Sequence, residues 1–174
     1  MPVRLLLTAS STLLFLVSTA FSFADFSGNW VLDLRASSSP HAMLKRLGAS
    51  WVERQFGGLI QMQATYTQSP QLIIVDRRGF GFHQTDVIRT DNKPEIQQNS
   101  LLGPYTIRTF WSENGTQLIS DISFRTKDSR DAEMVIVREL ADGGKTLIWS
   151  SRLEITGESG SWTLRHVWRK RESP

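Results

Sequence analysis

The chain carries 20 basic and 17 acidic residues over a length of 174, with six tryptophans and no cysteine. The missing cysteines exclude a disulfide framework, a zinc–thiolate site and a thiol-linked lipid anchor. A net charge of only +3 leaves no electrostatic footprint for nucleic acid.

Residues 1–24 read as a secretory signal peptide, because Arg4 is followed by the apolar run LLLTASSTLLFLVSTAFSF and then by small residues. Ser22 and Ala24 stand at the minus-three and minus-one positions of a cleavage site after Ala24. A second site, after Ala20, fits the same rule less well. The run is too short, and too interrupted by Ser and Thr, for a comfortable transmembrane span. The expected mature chain is residues 25–174, one domain of 150 residues, periplasmic or secreted. Arg4 is the leader's only charge, so 19 basic residues then face 17 acidic ones.

DFSGNWVLDLRAS predicts the first strand, with Trp30, Leu32 and Leu34 alternating against Val31, Asp33 and Arg35. From Ser39 the period changes. Pro40, Gly48 and the Gly57-Gly58 pair punctuate two short helices, one presenting Met43, Leu44 and Leu47, the other Trp51, Val52 and Phe56. After Gly58 the chain has strand chemistry throughout: IQMQATYTQ, LIIVD, FHQTDVIRT, then YTIRTFW, QLISDISFR, EMVIVREL, KTLIWSSRLEI and SWTLRHVWRK. NKPEIQQNSLLGP reads poorly, with room for a short strand near Glu95 to Gln98, and DRRGFG reads as a turn. Asn114-Gly115 and Asp142-Gly143 offer the positive-φ residues of hairpin turns. Nine or ten strands at short spacing, with one helical interruption, predict an all-β, up-and-down antiparallel barrel; a sandwich is the alternative. The basic WRKRE tail reads as a solvated chain end, and a membrane contact has no support in the pattern.

Strand parity places Arg138 on the same face as Met134, Ile136 and Leu140, the face expected inside. A guanidinium there needs a partner. Three readings are open: an internal acid, for which Asp86 is the candidate, a ligand carboxylate, or an outward side chain. The same parity turns Tyr66, Tyr105, Thr109, Trp111, Leu118, Ser120, Trp149 and Leu153 inward. On the last strand it turns Trp162, Leu164, His166 and Trp168 inward and Thr163, Arg165, Val167 and Arg169 outward. His41, His83 and His166 are scattered without metal-ligand spacing, and no nucleophile elbow or phosphate loop occurs.

Three stretches carry a resemblance. FSGNW (Phe26 to Trp30) resembles the opening F-x-G-x-W strand of the calycins, the group of lipocalins and fatty-acid-binding proteins. LKRLGASWVERQFGGL (Leu44 to Leu59) resembles the helix-turn-helix lid of the fatty-acid-binding family, and IVRELADGGK (Ile136 to Lys145) is similar to its V-R-E-L hairpin. The G-x-W-x-L-D start and the T-D-x-K of Thr90 to Lys93 also resemble exported bacterial lipocalin-like proteins. The resemblance implies a calycin-like barrel, without cofactor or metal, that binds a small hydrophobic or amphipathic ligand without catalysis. Arg138 matches the family Arg that faces the cavity and meets a carboxylate. The family's R-x-Y pair near the C-terminus is absent, since His166 and Trp168 fall in those positions. Arg138, His166, Trp168, Tyr66, Trp111 and Trp149 are the expected ligand-binding residues. A barrel filled by its own tryptophans, and then an enzyme on the same scaffold, are the rival expectations.

Overall fold

In most of the strand regions polar and apolar residues alternate with period two, and one face is buried along Gln63–Ser69, Gln117–Arg125, Asp131–Ala141 and Thr146–Ile155. The structure is a computed structural model that describes residues 23–50 and 61–171. Its strands are β1 (Gly28–Leu32), β2 (Gln63–Ser69), β3 (Leu72–Gly79), β4 (Phe82–Arg89), β5 (Glu95–Asn99), β6 (Gly103–Trp111), β7 (Gln117–Arg125), β8 (Asp131–Ala141), β9 (Thr146–Ile155) and β10 (Trp162–Arg171). One described helix, α1 (His41–Arg46), follows β1. The second expected helix lies outside the described residues.

The strands form one antiparallel sheet in the order β4-β3-β2-β1-β10-β9-β8-β7-β6-β5, so every hairpin pairs and β1 joins β10. Ile73 of β3 packs in the same buried cluster as Leu118 of β7, which requires the sheet to curl on itself. Among the described residues no ladder joins β4 to β5. β4 and β5 are the two ends of the order, joined by residues 90–94, and the ion pair of Arg89 Nε with Glu95 Oε1 at 2.8 Å spans the seam between them.

Parity holds along the barrel. Ala64, Tyr66, Thr109, Leu118, Ser120, Met134, Arg138, Leu147 and Leu153 are all buried. Val167 departs from it: its parity is outward, yet it is buried, because the segment after β1 crosses it. Asp33 N donates to the Val167 carbonyl and Val167 N donates to Ser37 Oγ. β1 accordingly ends at Leu32, and Leu34 is exposed. β3 also runs further than expected, through Arg77 and Arg78 to Gly79, so the supposed turn DRRGFG is mostly hairpin ladder. The Asp142-Gly143 turn has both residues at positive φ, 52° and 63°.

Met43 of α1 and Leu47 just after it are buried in one cluster with Ile122, Phe124, Met134 and Leu153 at one end of the barrel. Arg46 of α1 pairs with Glu158 of the β9–β10 turn, which also receives Arg130 of the β7–β8 turn at 2.5 Å. The other end is packed by the segment before β1. The Phe23 ring stacks on Trp111 at 5.0 Å and Phe26 stacks on Trp111 at 5.5 Å. Ala24 N donates to the Gly115 carbonyl, while the Ala24 carbonyl accepts from Gln68 Nε2 at 2.9 Å.

Candidate functional site

Inside the curl lies a cavity of about 490 Å³, walled by residues of β3 to β9. That size falls within the roughly 300–1,000 Å³ of small-molecule sites. Ile107, Ile122, Met134 and Ile136 give it an apolar side, and Gln84, Gln97 and Tyr105 a polar side beside the seam. The polar side is satisfied by its own members: Tyr105 Oη donates to Gln97 Oε1 at 2.7 Å and Gln84 Nε2 donates to Asp86 Oδ1 at 2.6 Å.

The other polar element is Arg138. Register places it opposite Leu118 on β7 and Trp149 on β9, with only 6% of its surface exposed. Its guanidinium carbon lies 4.6 Å from the centre of the Trp149 ring, and Nη1 donates to Ser120 Oγ at 3.0 Å. Ser120 Oγ is bonded in turn to Thr109 Oγ1 at 2.9 Å. Arg138 Nε is buried without a partner. Among the described residues no carboxylate pairs with it. Asp86 is taken by Arg77, whose Nη2 lies 2.5 Å from Asp86 Oδ2, so the expected internal partner of Arg138 serves another cation.

Arg77 was hidden in the sequence because its neighbours suggested a turn; the alternation Ile73, Val75, Arg77 carries the signal. It approaches the Trp149 ring at 5.8 Å and its Nε is also buried and unpaired. The cavity wall thus sets Arg77 and Arg138 against Asp86, which pairs with Arg77 and acts on Arg138 only at a distance, with Arg89, Lys93 and Glu95 also on the wall.

Tyr66 on β2 is buried, and its hydroxyl lies beside the Arg138 guanidinium and the Trp149 indole without a close, well-aligned hydrogen bond to either. Burial pushes its pKa up to about 12, against the opposing pull of Arg138 and Arg77, so it remains a neutral donor. Burial likewise lowers the pKa of Arg138, though a guanidinium stays charged. Trp149 Nε1 and Trp168 Nε1 are further buried donors without partners, with the two rings 5.9 Å apart, edge to face.

Of the six expected ligand residues, Arg138 and Trp149 line the cavity. Tyr66 stands beside Arg138, and Trp168 backs Trp149. His166 sits opposite Trp149 on β10, half-buried; burial and then the Arg77 charge hold its pKa below the usual histidine value. Among the described residues no acid hydrogen-bonds to it. Trp111 is occupied elsewhere, stacked with Phe23 and Phe26. Among the described residues no group of three or more His, Asp or Glu gathers to hold a metal.

No protein-family model matches the chain, and no curated protein matches it by sequence. Solved structures do. Apo lipid binding protein 8 of Caenorhabditis elegans superposes with a TM-score of 0.66 at 15% identity, covering 90% of this chain and 99% of that one. Fatty acid binding protein of Schistosoma mansoni, in complex with arachidonic acid, gives 0.62 at 18% identity, covering 84% and 96%. Human cRBP IV gives 0.64 at 15%, covering 85% and 99%. The fold of this chain is thus the one that these lipid-binding and fatty-acid-binding structures share.

Proposed function

We propose that the protein binds, without catalysis, a small amphipathic molecule with an anionic head, a fatty-acid-like carboxylate, and that it does so outside the cytoplasm. One observation carries the reading: a guanidinium buried at Arg138 with no acid beside it among the described residues. Beside it lie Tyr66 Oη, which can donate or accept, and the Trp149 Nε1 donor. A cluster rich in N–H donors and carrying buried positive charge fits an oxygen-rich anion, whose lone pairs can accept from Arg138 and Trp149, better than an alcohol, which brings a proton of its own. The apolar side of the cavity suits the chain of such a ligand. The fold neighbours with lipid-binding names support the ligand class, and the leader-like N-terminus supports export.

The test is calorimetric titration with hexadecanoate and with hexadecanol of equal chain length. Hexadecanoate is expected to bind, and Arg138→Met to weaken it by about 1.5–3 kcal/mol, the scale of a charge-assisted hydrogen bond. Equal affinity for acid and alcohol, or an unchanged affinity in the variant, contradicts the role of Arg138. A protein that binds neither returns weight to a barrel filled by its own side chains.

A further inference from the structure

We propose that the exported chain is cut between Ala20 and Phe21, so that the folded protein begins at Phe21 and not at Asp25. The proposal rests on the export reading given above. Two bonds offer small residues at minus three and minus one: Ser18 and Ala20 for a cut after Ala20, Ser22 and Ala24 for a cut after Ala24. The small-residue rule alone favoured the second. The fold discriminates between them differently.

Phe23 and Ala24 are built into the barrel. The Phe23 ring is nearly parallel to Trp111, 16° between planes at 5.0 Å, and Ala24 packs against the buried cluster that holds Phe26, Trp30 and Leu118. Both backbone groups of Ala24 are used: its N–H donates to Gly115 O at 2.9 Å, and its carbonyl accepts from Gln68 Nε2. The Gln68 side chain clamps this segment twice, since its Oε1 also accepts from Phe26 N at 3.0 Å. A cut after Ala24 would return one face of Trp111 to water and leave the Gln68 amide and the Gly115 carbonyl unpaired. It would also place a new ammonium group on Asp25, at the end of that packed segment. A cut after Ala20 keeps every one of these contacts. In either case water is the co-reactant: its hydroxyl goes to the carbonyl of the residue before the bond and its proton to the amine after it. An exported chain short of Phe23 and Ala24 opens more readily and is degraded faster.

The experiment is intact mass measurement on the exported protein after the full 174-residue chain is expressed in an exporting bacterial host. The expected mass is that of residues 21–174. A mass of residues 25–174, or a mixture of the two, overturns the cut at Ala20 while leaving the export reading standing. An uncleaved chain retained in the cytoplasm overturns both. A second measurement does not depend on export: chains made without the leader, one starting at Phe21 and one at Asp25, are melted side by side. The shorter is expected to unfold about 5–10 °C lower, given one aromatic stack and two hydrogen bonds lost from a domain of this size. Equal melting temperatures remove the basis of the proposal.

Discussion

At Arg138 stability and binding pull in opposite directions. A buried cation with one serine hydroxyl, one indole face and the neutral Tyr66 hydroxyl around it, and no salt-bridged acid, is poorly compensated for its lost hydration. Arg138→Met keeps the length and removes the charge, so the ligand-free protein is expected to gain about 1–2 kcal/mol in urea unfolding while losing ligand affinity. A side chain kept for structure alone would give a loss in the same measurement. His166 sets a second sign. Its folded pKa is lowered by burial and by Arg77, so as the pH falls below the ordinary value near 6.5 the unfolded chain takes up a proton that the folded chain refuses. Stability is therefore full above that value and declines on the acid side. His166→Gln is expected to lose less stability than the parent between pH 7.5 and 5.5; an identical drop in both refutes the assignment. The direction of Arg138 was legible from period two alone. Its missing partner was not, because Asp86 could be placed on a strand but the cation that claims it stood in a segment of Arg, Gly and Phe that reads locally as a turn.

Among the elements, α1 is held by few contacts for its position over the barrel end. Six residues are too short to be stable alone, so its place depends on Met43 and Leu47 inside and on Arg46 at the rim. Glu158, whose side chain is 17% exposed, receives both Arg46 and Arg130, each 31% exposed, and Arg46 also lies 5.5 Å from the centre of the Trp162 ring. Glu158→Gln would leave two cations facing each other across a neutral amide. The expected cost is about 1 kcal/mol at low salt, reduced at 0.5 M salt by screening. A cost that does not change with salt would assign Glu158 a packing role. The strands of this region were legible because each hairpin carries its own alternation and turn residues. Val167 was not, since its burial comes from residues 33–38 folding over it from outside, a contact between chain ends that no local pattern encodes.

For the whole molecule, the count of strands pointed to a barrel but held no information on where its ladder stops. Pairing of β1 with β10 returns the chain end to its start, and the break then falls in the middle of the sequence, between β4 and β5. The cavity wall reaches that break on its polar side, with Gln84 of β4 and Gln97 of β5 both on it. This geometry has a consequence for life at high concentration. A sheet with two free borders ordinarily invites a foreign strand onto each, and Val87 and Ile96, both exposed next to those borders, would reward it. Here the two borders belong to strands tied by a five-residue link and the Arg89 to Glu95 bridge, so an intruder must enter a slot rather than join an open rim. The break beside the cavity thus sets its two free borders face to face instead of on opposite sides of the molecule.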